Sequence, residues 1–74
     1  MATQTVSQSY LDGIRDERAI LRQAIADGET DLAALARDML DNINRTIAQG
    51  WSGEMAEYMR GSRDFWRNQV KKYA

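Results

Sequence analysis

The stretch that decides the fold is TDLAALARDMLDNINRTIAQG, residues 30–50. Its apolar side chains recur at steps of three and four residues, the period of one face of an α-helix. The residues on that face are Leu32, Leu35, Ala36, Met39, Leu40, Ile43 and Ile47. Thr30 is suited to the N-cap, Asp31 to the positive end of the helix dipole, and Gly50 to the C-terminal end. The pattern predicts a helix over about residues 31–49.

The segment before this stretch has the same apolar period. Its recurring residues are Leu11, Ile14, Leu21 and Ile25. Ser7 or Ser9 is suited to the N-cap, while Thr5 with Gln8 forms a capping-box pattern that would start the helix earlier. Gly28 follows the last apolar residue and supplies the left-handed conformation that commonly ends a helix. A helix over about residues 7–27 is therefore predicted.

The third segment predicts a helix over about residues 53–72. Its face consists of Met55, Tyr58, Met59, Ser62, Phe65, Trp66, Gln69, Val70 and Tyr73. Ser52 is the expected N-cap, and Trp51 before it is placed to pack on the first turn as a hydrophobic staple. Lys71 and Lys72 match the negative C-terminal end of a helix.

Two glycines lie inside predicted helices. Gly13 weakens the first helix by about 1 kcal/mol relative to alanine. Gly61 lies in the middle of the third helix, beside Ser62, where it could kink the helix, split it or admit the backbone of a neighbour. Of these three interpretations we favour a kinked but continuous helix.

The fold class that follows is all-α, with residues 1–74 forming one domain of three helices joined by short glycine turns. Ordering each residue costs roughly 1.5 kcal/mol, so a core this small comes out close to break-even. The helices could form a three-helix bundle, or an open array that completes its core by dimerising. We expect a homodimer.

The composition argues against catalysis. The chain has no cysteine and no histidine, and its net charge is -1. It therefore lacks thiolate chemistry, the commonest general acid–base group and the commonest metal ligand. We expect no catalytic, cofactor-binding or metal-binding residues, and hence no enzyme. No stretch resembles a secretory signal or a membrane span, so a cytoplasmic protein is expected.

Basic side chains form a stripe on the third helix. Arg60, Arg63, Arg67 and Lys71 recur at three- and four-residue steps, on the side opposite Met59, Trp66 and Val70. Such a stripe could contact phosphates or an acidic protein surface, although a plain solvated face is the commoner explanation. The acidic sequence pI of about 5.2 is opposite to the usual footprint of a nucleic-acid-binding protein. Nucleic-acid binding is therefore the alternative and protein binding the first hypothesis.

Aromatic residues are concentrated in the same part of the chain. Tryptophan and tyrosine beside arginine are typical of the residues that dominate protein–protein interfaces, although the rings could simply fill the core. Neighbouring residues Phe65 and Trp66 point about 100° apart around a helix. We therefore expect one ring in the core and the other facing a partner or a second subunit.

Two strings, YLDGIRDER at residues 10–18 and MRGSRDFWRNQVKK at residues 59–72, resemble segments of small uncharacterised proteins encoded by tailed bacteriophages and prophages. The resemblance carries no functional motif, so no residue role is transferred. It implies a bacterial cytoplasmic setting, where small phage proteins bind and inhibit or redirect host proteins. The hypothesis from sequence is thus a phage-type accessory protein that binds a host protein through Arg60, Arg63, Phe65, Trp66, Arg67 and Lys71. A virion structural or assembly component is a further alternative.

Overall fold

The computed structural model describes residues 6–74, which form three α-helices: α1 (Gln8–Ala26), α2 (Leu32–Ile47) and α3 (Gly53–Lys72). The predicted all-α class is confirmed. The capping-box alternative at Thr5 lies outside the described residues. Within residues 6–74, no helix combines the length and the apolar character that crossing a membrane requires.

The N-terminal caps agree with the sequence at one helix and differ at another. The hydroxyl of Ser7 accepts a hydrogen bond from the Tyr10 backbone N–H at 3.1 Å. At α2, Asp31 is the N-cap instead of Thr30, and its carboxylate accepts from the Ala34 N–H at 3.0 Å. Both residues can cap a helix, but the carboxylate also complements the helix dipole. Ser52 precedes α3 without a side-chain capping bond.

The turn after α1 is a Schellman motif. Gly28 has a φ of 91°, the Gly28 N–H donates to the Ile25 carbonyl, and the Glu29 N–H donates to the Ala24 carbonyl, each at 3.0 Å. Gly50 after α2 has a φ of 89° and donates to the Ile47 carbonyl at 3.0 Å. Both glycines occupy the left-handed region, where a side chain is strained. The chain therefore reverses at the two positions predicted from sequence.

The third helix is the central one. α3 packs against both α1 and α2, whereas no Cα atoms of α1 and α2 lie within 8 Å of each other. The buried apolar core consists of Leu21 from α1, Ala36 from α2, and Phe65 and Trp66 from α3. α1 and α2, which follow each other in the sequence, are thus joined through α3 and not directly.

The contact between α1 and α3 is made by backbone as well as side chains. Gly13 lies against the Tyr58 carbonyl and Ser62, and Gly61 lies against the Tyr10 backbone, each so close that a Cβ atom would overlap its neighbour. α3 is one helix through Gly61. Of the interpretations considered for Gly61, the structure therefore shows the close backbone approach.

The contact between α2 and α3 is apolar. Ala36 is fully buried there, and the partly buried residues of α2 that pack on the core are Leu32, Leu35, Met39, Leu40 and Ile43. None of the large apolar side chains of α2 is fully buried. α2 therefore lies on the surface of the α1–α3 pair and keeps part of its apolar face accessible.

Candidate functional site

The rings of Phe65 and Trp66 both lie in the core, which corrects the expectation that one of them faces outward. Phe65 is 6% exposed and Trp66 0% exposed, and the two rings meet edge to face with centroids 5.0 Å apart. The reason is the central position of α3, because a helix packed on two sides buries residues 100° apart. In this fold neither ring offers surface to a partner.

Trp66 also carries a buried polar contact. Its indole N–H donates to the Glu17 carboxyl at 2.8 Å, and Glu17 is itself buried. Ser62, one turn earlier on α3, has a fully buried hydroxyl without a hydrogen-bond partner among the described residues. A buried acceptor left without a donor costs free energy, so the Glu17–Trp66 bond fixes how α1 sits on α3.

The basic stripe lies on the outer side of α3, but three of its four members have acidic partners. Arg60 pairs with Glu57 at 2.9 Å. Arg63 and Arg67 both reach Asp64, at 3.1 Å and 3.8 Å. Lys71 is exposed and forms no ion pair with any residue in 6–74. The stripe therefore has a smaller net positive charge than its spacing in the sequence indicated.

Two tyrosine–aspartate hydrogen bonds stand on either side of the glycine contact. The Tyr10 hydroxyl donates to Asp64 and the Tyr58 hydroxyl donates to Asp16, each at 2.6 Å. The hydrogen bond to Asp16 raises the pKa of Tyr58 to about 12, and the bond from Tyr58 lowers the pKa of Asp16. Each bond joins α1 to α3. The carboxylates of Asp16 and Asp64 therefore stabilise the fold and are not available to bind a ligand.

Burial and neighbouring groups shift the pKa of Asp64 in opposite directions. Burial raises its pKa, but hydrogen bonds from Tyr10 and Arg63 together with the positive charges of Arg63 and Arg67 lower it, and the net direction is downward. The same hydrogen bond raises the pKa of Tyr10. Asp64 therefore serves two tasks, since it holds α1 through Tyr10 and neutralises two members of the basic stripe.

An open cleft of about 640 Å³ lies where the N-terminal ends of α1 and α3 meet. Its lining residues are Ser7, Gln8 and Ser9 from the start of α1, and Trp51, Ser52, Gly53, Glu54, Ala56, Glu57 and Arg60 from the start of α3. The Ser7 hydroxyl donates to the Glu57 carboxylate at 3.3 Å, which joins the two sides of the lining. The cleft combines an indole, a guanidinium and two carboxylates on one surface.

Trp51 is the aromatic residue of this surface. The residue is 42% exposed, and its indole N–H donates to the Thr46 carbonyl at 2.5 Å. It therefore fixes the turn between α2 and α3 and at the same time lines the cleft. Met55, one turn into α3, is 48% exposed.

Of the residues predicted from the sequence, only Arg60 lines the cleft. Arg63, Arg67 and Lys71 lie further along α3, and Phe65 and Trp66 are in the core. The sequence did contain a signal for Trp51, because an aromatic residue between Gly50 and an N-cap serine stands at a helix junction. A staple packs its ring on the first turn of the helix, so this assignment did not predict an exposed residue.

No group of acidic side chains within residues 6–74 is arranged to hold a metal ion. Comparison with protein-family models, with curated proteins and with solved structures finds no match to this chain. The geometry of the cleft and of the exposed helix faces is therefore the basis for any functional inference.

Proposed function

We propose that this chain is a small non-enzymatic module that binds another protein through the cleft between α1 and α3. The observation that supports it is the open cleft that the partly exposed Trp51 and Arg60 both line. Tryptophan and arginine are the residues that most often dominate the binding energy of protein interfaces. An open cleft of this volume suits a protruding side chain or a short segment of a partner.

The charges around the cleft favour a protein over a nucleic acid. Glu54 and Glu57 line it together with Arg60, and the neighbouring Arg63 and Arg67 are paired with Asp64. A polyanion gains most from unpaired cations, whose counterions it releases on binding. A protein segment with mixed polar and apolar groups matches this surface better.

The proposed setting is the bacterial cytoplasm, and the proposed partner is a host protein that the module inhibits or redirects. This part of the proposal is based on the resemblance of residues 10–18 and 59–72 to small phage and prophage proteins. The resemblance supplies the class of protein, and the cleft supplies the contact surface.

The test is to capture bacterial proteins with the tagged chain, purify the most enriched one and measure its affinity by calorimetry. Trp51→Ala should weaken binding about tenfold or more, since truncating a central aromatic removes much of the interface energy. Ile20→Ala is the matched control, because Ile20 is 43% exposed and lies away from the cleft. Equal affinity of both variants would reject the cleft, and no specific capture would reject the proposed function.

The nucleic-acid alternative has its own test. If the chain binds phosphates, its affinity for DNA or RNA should fall steeply as salt is raised. Arg63→Glu with Arg67→Glu reverses two charges of the stripe and should weaken this binding strongly. If labelled DNA or RNA binds weakly and the double substitution does not alter the affinity, the nucleic-acid alternative is rejected.

We further propose that the chain is a homodimer. Among the described residues only four apolar side chains are buried, namely Leu21, Ala36, Phe65 and Trp66. So small a core gives little stability beyond the entropy of ordering the chain, and self-association adds burial. Light scattering over a dilution series should show a dimer that dissociates at low concentration, and a constant monomer mass would reject this part.

A further inference from the structure

The three helices are not joined in the same way. Four side-chain hydrogen bonds connect α1 and its N-cap with α3, namely Ser7–Glu57, Tyr10–Asp64, Tyr58–Asp16 and Trp66–Glu17. Within residues 6–74, the side-chain hydrogen bonds and the ion pair of α2 stay inside α2 and its adjoining turns. Separating α2 from α3 therefore breaks apolar contacts alone, whereas separating α1 from α3 also breaks four hydrogen bonds.

The turns on either side of α2 are suited to act as hinges. Gly28 precedes α2 and Gly50 follows it, with φ angles of 91° and 89°. At either position a Cβ atom would meet no atom beyond the adjoining residues within 4 Å, whereas at Gly13 and Gly61 it would overlap the backbone of the other helix. The two turns thus do not pack on the rest of the chain, so α2 can move about them without breaking further contacts.

The indole of Trp51 caps the C-terminal end of α2. Its N–H donates to the Thr46 carbonyl at 2.5 Å, and the same carbonyl accepts from the Gln49 N–H at 3.1 Å. Thr46 lies in the last turn of α2, where carbonyls lack the partner that a continuing helix supplies. Trp51 also lines the cleft between α1 and α3. The cleft and the end of α2 therefore share one side chain.

α2 has 16 residues, and a helix of this length is only marginally stable in water when it stands alone. If α2 leaves α3, its helix therefore unfolds and its backbone amides exchange with solvent. α1 and α3 can stay together meanwhile, because their backbones touch at Gly13 and Gly61 and their hydrogen bonds do not involve α2. Amide hydrogen exchange therefore reports the separation of α2.

We propose that α2 is a hinged helix that leaves the α1–α3 pair and unfolds by itself, and that the Trp51 indole is the latch that keeps it docked. This opening needs less free energy than the unfolding of the whole chain. It uncovers the part of the core that Ala36 and the apolar residues beside it occupy. The opening takes place in the free chain and does not require the proposed partner.

The experiment is hydrogen exchange of the full chain, followed by NMR at increasing urea below the unfolding transition. The central amides of α2, residues 37–43, should be protected about tenfold or more weakly than the slowest amides of α1 and α3. Their protection should also fall less steeply with urea, because opening one helix exposes less surface than unfolding the chain. Equal protection and equal urea dependence in all three helices would overturn the proposal.

Ala19→Gly separates opening of α2 from unfolding of the whole chain. Ala19 is exposed in the middle of α1, and glycine there weakens α1 equally whether α2 is docked or open. The protection of the slowest α1 and α3 amides should therefore fall about fivefold, while that of the α2 amides stays the same. An equal fall in α2 would mean that α2 exchanges only when the whole chain unfolds, which contradicts the hinged helix.

Trp51→Phe tests the latch, because it keeps an aromatic ring and removes the indole N–H. The protection of the α2 amides should fall about three- to tenfold, since the docked state loses a hydrogen bond that the open state does not have. Circular dichroism should show the helix content of the unaltered chain. Unchanged protection of α2 would show that Trp51 is not the latch. All of these measurements use the free chain, so their outcome is independent of whether a partner is captured.

Discussion

The two contacts of α3 differ in kind. Against α1 it presents bare backbone at Gly61 and polar groups at Tyr58 and Asp64, so this contact is close and hydrogen-bonded. Against α2 it packs on leucine, isoleucine and methionine side chains that stay partly exposed. The first contact is specified by shape and hydrogen-bond geometry, and the second by apolar burial. We expect the first to tolerate few changes and the second to tolerate many.

The largest effect should come from adding one methyl group at the close contact. Gly61→Ala places a Cβ atom on the Tyr10 backbone, so α1 must move away from α3. We expect the free energy of unfolding to fall by about 3 kcal/mol, at the upper end of the range for overpacking. Urea unfolding followed by circular dichroism measures the change.

The control for this substitution is Asn68→Ala, at an exposed position of the same helix. It should alter stability by less than about 0.5 kcal/mol. A Gly61→Ala variant as stable as this control would mean that the helices are not held at backbone distance.

The next effect should come from the buried hydrogen bond between α1 and α3. Glu17→Ala leaves the indole N–H of Trp66 without its acceptor, which should cost about 2 kcal/mol. Glu17→Gln keeps an oxygen at the same place and should cost clearly less. The same unfolding experiment compares the two, and equal losses would show that the bond to Trp66 does not matter.

A smaller effect should come from the tyrosine–aspartate pairs. Tyr10→Phe removes the donor to Asp64 and should cost about 1 kcal/mol at neutral pH. Tyr58→Phe removes the donor to Asp16 and should also destabilise the fold. The pKa values of both aspartates are lowered in the folded chain.

These shifts predict a pH profile with two limits. A carboxyl whose folded pKa is lowered adds stability above its unfolded pKa, and this is lost as the pH falls through the folded value. The raised pKa of Tyr58 adds stability below its unfolded value, and this is lost as the pH rises from about 10 to about 12. Urea midpoints measured from acid to alkaline pH should fall at both ends. The variant with both Tyr10→Phe and Tyr58→Phe should have a flatter profile, and an unchanged one would contradict the assignment.

The smallest effects should occur at the contact of α2. Leu40→Met and Ile43→Leu conserve volume at partly buried positions, and each should cost less than about 1 kcal/mol. Thermal unfolding should place both variants close to the unaltered chain. If either variant lost as much unfolding free energy as Gly61→Ala, the α2–α3 contact would be no more tolerant of substitution than the α1–α3 contact.

The sequence predicted the helices better than their arrangement. Apolar periodicity and the glycines at 28 and 50 are local signals, and they indicated three helices and two turns. Which helix is central depends on contacts between distant residues, which periodicity does not report. The pair Phe65–Trp66 does indicate that α3 is central, because a helix that buries two large rings 100° apart needs a neighbouring helix on each side.

The interior glycines show why the candidate site was harder to predict. Gly13 counts as a weak point of α1 when helix propensity alone is considered, yet it allows the backbone contact with α3. Trp51 is exposed because α2 ends just before it and its indole bonds back to Thr46. Both features depend on how the helices meet. The pairing of Arg67 with Asp64 has the three-residue spacing that is typical of contacts along one helix, whereas Arg63 is adjacent to Asp64, a spacing that does not predict a contact.

The central position of α3 has a consequence for biosynthesis. A ribosome releases α1 and α2 before α3, and these two helices make no contact through which they could fold together. Their apolar faces remain exposed to solvent until residues 53–72 emerge. Folding is therefore delayed until α3 has emerged, when one helix closes both contacts at once. A nascent chain that stops before Trp66 cannot complete the core, so we expect it to be a substrate for chaperones and proteases.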